Sequence, residues 1–212
     1  MPNWTANLLT IRGSQSEVAA FLAKAKSGKS DFSFGAFLPQ PEGLYQGAVG
    51  HDSPKFNWYN WNSENWGTKW DACDVDIQAG DTSVLLQLAA AAEDTEPTSE
   101  AIIRFNSAWS HPAPVLEAIC YQHPELNITC DFHHEGGSGG GTIFLKDGVV
   151  IEHDYPEGSE ESRQLSIKCY GFDPWGFCEN CEDEDLDEAG GGDTPAPGAT
   201  YCAACRTAGL CT

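Results

Sequence analysis

The chain of 212 residues is 41% hydrophobic and carries 32 acidic against 11 basic residues, a formal net charge of −21. That apolar share excludes a chain disordered throughout and is enough for one ordinary domain with an appendage. The charge skew disfavours direct contact with a nucleic-acid backbone or an anionic membrane and favours basic partners or cations, although solubility or a salt-rich habitat explains it equally well.

The opening residues Met1-Pro2-Asn3-Trp4-Thr5-Ala6-Asn7-Leu8-Leu9 contain neither a positive n-region nor an apolar run of signal-peptide length. No segment reaches the roughly 20 apolar residues of a membrane span. A cytoplasmic location is therefore expected, where nine cysteines are free or metal-bound rather than paired as disulfides. Asn7 to Arg12 alternates weakly as a strand, and Ser14-Gln15-Ser16-Glu17 is a capping box leading into a helix through Val18, Phe21 and Leu22, with Gly28 as its stop. From Phe32 to Asp52, glycine and proline predict irregular chain crossing the surface.

The stretch from Trp58 to Ala72 holds four of the seven tryptophans: Trp58, Trp61, Trp66 and Trp70. Each buried ring removes roughly 150–250 Å² from water, so one reading is a structural aromatic loop folded back over a sheet, its indole N–H groups and asparagine amides satisfying one another. The other is a platform on which bases or sugar rings stack. Asp71 to Ile77 is a half-buried strand, with Asp74 and Asp76 on its solvent face. Val84 to Ala92 fits either a short helix or a strand.

Ala101 to Ala108 is the next strand, and Ser110 caps a helix over Pro114 to Tyr121. Leu126 to Phe132 alternates again, and Thr142–Lys146 and Val149–His153 flank Asp147-Gly148 as a hairpin. The repeated strand, helix, strand order predicts an α+β fold with a mixed sheet and helices on one face. The glycine run at 136–141 leads into a strand, whereas a phosphate-binding loop leads into a helix, so nucleotide binding is not indicated.

The most specific chemical signal is Cys178 and Cys181, twenty residues, then Cys202 and Cys205. Two such pairs can complete a tetrahedral shell for one structural Zn²⁺, with Zn–S distances of about 2.3 Å, the other readings being two disulfides or an iron–sulfur cluster. The domain reading is a body over residues 1–170 and an acidic, four-cysteine zinc-binding tail over 171–212. Between the cysteine pairs lie Glu182, Asp183, Glu184, Asp185, Asp187 and Glu188. Residues 178–212 hold eight acidic and one basic residue, leaving 24 acidic and 10 basic for residues 1–177, so the body is acidic as well as the tail. His133, His134 and Glu135 could be drawn as an enzyme centre, but strand alternation points the two histidines to opposite faces. No nucleophile signature accompanies them.

Several segments together resemble the YubB-like family of plasmid and phage proteins. The likeness rests on Met1 to Trp4 with Asn7-Leu8 and Ile11-Arg12-Gly13, on Phe37-Leu38-Pro39, on Trp58-Tyr59 with Asn65 to Ala72, and on Ala108-Trp109-Ser110 with Pro112, Pro114 and Val115. It spans roughly residues 1–155, with Thr5 and His111 as departures and the cysteine tail as an addition. The resemblance implies a ferredoxin-like body, a mobile-element origin, residence in a host cytoplasm and no inherited catalytic residues. The expected function is a non-enzymatic acidic accessory protein that binds a basic, nucleic-acid-binding host protein, such as a defence nuclease, in the manner of a DNA mimic. Its contact residues are then Asp74, Asp76 and the acidic run Glu182–Glu188. The alternatives are a nucleic-acid-processing accessory that uses the aromatic loop and zinc lobe, and an enzyme with a His/Glu site. Elemental analysis of protein purified without added metal should return one zinc per chain, and Cys178→Ser or Cys205→Ser should lower it. A chelator should loosen the tail and leave the body folded.

Overall fold

The computed structural model describes residues 3–28, 30–79, 98–135 and 139–170. Strand β1 spans Trp4–Ser14 and starts earlier than its weak alternation suggests. Leu9 and Ile11 face one side and Ala6 and Leu8 the other, and all four are buried, as are Thr5, Asn7 and Thr10, so neither face of the strand is left to solvent. The capping box forms as expected: the Glu17 N–H donates to Ser14 Oγ at 3.3 Å and the Ser14 N–H to Glu17 Oε2 at 2.9 Å. Helix α1, Gln15–Ala25, follows and buries Val18, Phe21 and Ala25.

The segment expected to cross the surface instead inserts three rings into the core. Phe32, Phe34 and Phe37 are buried around a 3-10 turn, Phe34–Ala36. The tryptophan stretch, expected as a loop, begins with helix α2, Trp58–Asn65. Its asparagines cap rather than break: Asn57 Oδ1 accepts the Asn60 N–H at 2.9 Å. The indoles donate to backbone carbonyls rather than to amide side chains, Trp58 Nε1 to Gly47 O at 2.9 Å and Trp66 Nε1 to Leu38 O at 2.8 Å.

Strand β2, Cys73–Ala79, and strand β3, Thr98–Ala108, pair antiparallel. Helix α3, Ala113–Gln122, begins after Pro112, not after Ser110, whose hydroxyl is used elsewhere. Strands β4, Asn127–His134, β5, Gly140–Lys146, and β6, Val149–Tyr155, complete a six-stranded sheet in the order β2-β3-β1-β4-β5-β6. The β5–β6 hairpin turns through Asp147 and Gly148, both at positive φ (53° and 74°), as the Asp-Gly pair requires.

Every strand pair within this sheet is antiparallel, which corrects the expectation of a mixed sheet. Two strand–helix–strand passes, β1-α1-β2 and β3-α3-β4, interleave to give the ferredoxin-like arrangement, and the β5–β6 hairpin extends its β4 edge. A second correction is helix α4, Glu160–Tyr170, absent from the sequence reading. It lies on the sheet face opposite α1 and α3, where Cys169 joins Ala6 and Leu8. Its inward positions are Ser162, Leu165, Ser166 and Cys169, too short and polar to register as an apolar stripe. The buried Asp131 carboxylate beneath it is held by Thr142 Oγ1 at 2.7 Å and by an ion pair with Lys168.

Trp66 is 5% exposed and packs edge-on against Phe34 and Trp61 in the main core. Trp66→Ala should destabilise the body by about 3–5 kcal/mol in urea titration, through lost burial and a cavity.

Candidate functional site

A chain of buried hydroxyls and amides assembles one end of the sheet. Asn7 Nδ2 donates to Ser107 Oγ at 2.9 Å, Ser107 Oγ donates to the Ser110 carbonyl at 2.7 Å, and Ser110 Oγ donates to the Gly67 carbonyl at 2.8 Å. Gly67 sits at φ 75°, where a Cβ would come within 3.1 Å of Pro114 Cδ. These contacts tie β1, the β3–α3 turn and the segment after α2 together. Asn62 fixes that segment from its helix, accepting from Gln40 and donating to the Lys69 carbonyl at 2.9 Å. Asp71 closes its far end by accepting from Ser33 Oγ and the Phe34 N–H, each at 2.6 Å.

The product is an aromatic cage around a lysine. The Lys69 ammonium lies 4.5 Å from the Trp70 ring centre, 5.7 Å from Trp109 and 5.9 Å from Tyr59. Tyr59 and Trp109 meet edge to face at 5.9 Å, and Trp4 backs Trp70 at 5.8 Å. Trp109 is 43% exposed and holds φ at 79°, a left-handed conformation that disfavours a bulky side chain and whose strain is of order 1–3 kcal/mol. Its backbone N–H is anchored to the Asn3 carbonyl at 2.9 Å. Ring faces attract cations by roughly 0.5–2 kcal/mol depending on exposure.

Beside this cage the β3–α3 turn and strands β4 and β6 bring together His111, His134, Glu152 and Asp154. His111 lies over Phe132 with ring centres 4.0 Å apart, and its Nε2 is 3.4 Å from Glu152 Oε1. Burial, reinforced by the neighbouring His134, lowers the His111 pKa to about 4 against an opposing pull from Asp154. His134 is also lowered by burial, and its Nδ1 stands 2.9 Å from Thr5 Oγ1. Burial and repulsion from Asp154 raise Glu152. Burial thus favours the uncharged forms of both imidazoles and of the Glu152 carboxyl.

The remaining residues singled out in the sequence are scattered. His133 points under α4 toward Ser162, His134 faces Thr5, and Glu135 Oε2 accepts the Trp4 N–H at 2.7 Å, so the three side chains do not converge. Asp74 and Asp76 are exposed on β2, with Asp74 accepting from Asn106 and Asp76 from Gln78. Trp58 and Trp61 are half-buried along α2, and Trp70 is half-buried in the cage. Cys178, Cys181, Cys202, Cys205 and the run Glu182–Glu188 lie outside the described residues. Among the described residues no group of three or more His, Cys, Asp or Glu side chains is placed to hold a metal, and Cys73, Cys120, Cys130 and Cys169 are free thiols. Sequence reading missed Lys69 and Trp109 as partners because they are 40 positions apart and are brought together by tertiary contacts such as Ser110–Gly67 and Tyr59–Trp109.

Residues 89–173 match a family model described as the ferredoxin-like domain in Api92-like protein. That stretch is thus similar to a ferredoxin-like domain. The crystal structure of a protein api92 from Yersinia pseudotuberculosis is similar over 75% of this chain and 100% of its own, with 9% identity and a TM-score of 0.43. No curated protein matches the sequence. Among the described residues no helix is long and apolar enough to cross a membrane.

Because the folded pKa of His111 lies below its ordinary 6.5, the unfolded chain takes up that proton first as pH falls. The stability supplied by neutral His111 is complete above pH 6.5 and is lost toward pH 4, about 3 kcal/mol over that window. Glu152, with a raised pKa, acts in the opposite sense, because the folded state takes its proton first. His111→Gln should flatten part of the fall in urea stability across that range, and an unchanged slope would contradict the assignment.

Proposed function

We propose that the protein is a non-enzymatic binding protein that engages a basic, nucleic-acid-binding surface of a partner, with the aromatic cage as its anchor and acidic side chains as its rim. The carrying observation is Trp109, exposed on left-handed backbone, meeting Tyr59 edge to face and sharing the Lys69 ammonium with Trp70, in a chain of net charge −21. Rigid aromatic residues in a preset arrangement are common anchors of protein interfaces, since little side-chain entropy is lost on binding. Asp74 and Asp76 on β2 and the run Glu182–Glu188 supply the complementary field, and a zinc-held tail presents that run. Such a surface competes with DNA for a basic cleft, and the mobile-element resemblance makes a host defence nuclease the partner class of choice.

A second reading is supported by the same cage: a nucleic-acid accessory in which a base stacks on Trp109 while Lys69 meets a phosphate. The two differ in what is bound. A labelled duplex held by a basic DNA-binding domain should be released when the protein is added, less effectively as salt rises, because exposed charges are screened within about 8–10 Å. Neutralising Asp74 and Asp76 together with the acids of 182–188 should abolish release without lowering the melting temperature. Uptake of the labelled duplex by the protein itself would replace this reading with the second.

A further inference from the structure

Lys69 occupies a position that a partner's cation would need. We infer that the cage of Tyr59, Trp70 and Trp109 is a receptor site for a guanidinium or ammonium side chain, with Lys69 as a built-in occupant that swings out when the partner's cation enters. The inference rests on the binding-protein reading and assigns the chemistry of its anchor.

Three observations carry it. The first is the choice of neighbours: in a chain with 32 acidic residues, no carboxylate among the described residues lies within ion-pair distance of the Lys69 ammonium, which meets three ring faces instead. The site therefore already holds a cation. The second is rigidity. Tyr59 belongs to α2, the backbone beside Trp70 is closed by Thr68 Oγ1 donating to the Trp70 carbonyl at 2.7 Å, and the turn carrying Trp109 is bonded to Asn3 and Gly67. The walls are consequently held whether or not the cation is Lys69.

The third is the freedom of the lysine. Its main chain is fixed through the bond from Asn62, but its four-carbon stem carries only the ammonium, which the ring faces hold without directional hydrogen bonds. An incoming guanidinium is planar and less strongly hydrated than an ammonium, so it stacks on an indole more readily. Exchange would move the Lys69 ammonium from the ring faces into solvent, where water satisfies its charge. A stacked base with its phosphate would make the opposite demand, because Lys69 would have to stay.

The sign of a Lys69 substitution therefore decides. Lys69→Met should raise affinity for an oligoarginine peptide roughly two- to fivefold, read by tryptophan fluorescence, since the cation site is vacated. Lys146→Met, at an exposed hairpin lysine, removes the same charge and serves as the control. Trp109→Gly should lower oligoarginine affinity below wild type, and it keeps the fold because glycine accepts the φ of 79°. Equal gains in Lys69→Met and Lys146→Met, or no loss in Trp109→Gly, would overturn the cage assignment. If wild type still binds oligoarginine in a salt-sensitive way under that outcome, the binding-protein reading stands without it. Wild-type binding to oligothymidylate that Lys69→Met abolishes, with none to oligoarginine, would overturn both.

Discussion

The arrangement at this end of the molecule depends on one buried amide. Asn7 is 1% exposed in the middle of β1, and its Nδ2 reaches the Thr5 carbonyl at 2.8 Å and Ser107 Oγ at 2.9 Å. The side chain is held through its Nδ2 donors alone, its Oδ1 having no partner among the described residues, and a donor left unmade there would be destabilising by about 1–3 kcal/mol. The relay through Ser107 and Ser110 to Gly67 carries the position of the sheet out to the tryptophan segment. Remote rings thereby become neighbours, with little apolar burial of their own to hold them.

The sheet is covered on both faces by different chemistry. Under α1 and α3 lies a continuous core that includes Leu9, Phe21, Phe32, Phe34, Ile103 and Ile119. Under α4 the contacts are small and polar: Ser162 and Ser166, the Asp131–Thr142 bond and the ion pair to Lys168, with Ala6, Leu8 and Cys169 as the apolar part. Little hydrophobic free energy is available on that side. The helix is placed instead by hydrogen bonding and charge, interactions that give direction more than stability.

Acidity and aromaticity serve separate roles in the proposed interaction. A net charge of −21 spread over body and tail acts at long range and favours approach by positively charged surfaces. Rings act at contact and fix geometry. The strained backbone of Trp109 fits this division, since a ring buried only for packing would have no reason to sit exposed in the left-handed region.

Local chemistry made much of the fold legible in the sequence. The capping box at Ser14 and Glu17 and the Asp147-Gly148 hairpin depend on neighbours within a few residues and appear where expected, whereas strands β1, β2 and β4 form with ends shifted from their alternating runs. The ferredoxin-like order entered through a resemblance of motifs, and the antiparallel register that follows is a property of the folded sheet. What failed was whatever a distant surface decides. Phe32 and Phe34 sit in glycine-rich chain that reads as surface until Phe105 is brought against them. Helix α4 has no apolar stripe because it meets a polar patch that strands β4 and β5 create only when paired. Lys69, Tyr59 and Trp109 were visible one by one, but their cage was not, since composition sets the charge and the rings available while only the Asn7-to-Gly67 relay of tertiary hydrogen bonds sets which of them meet.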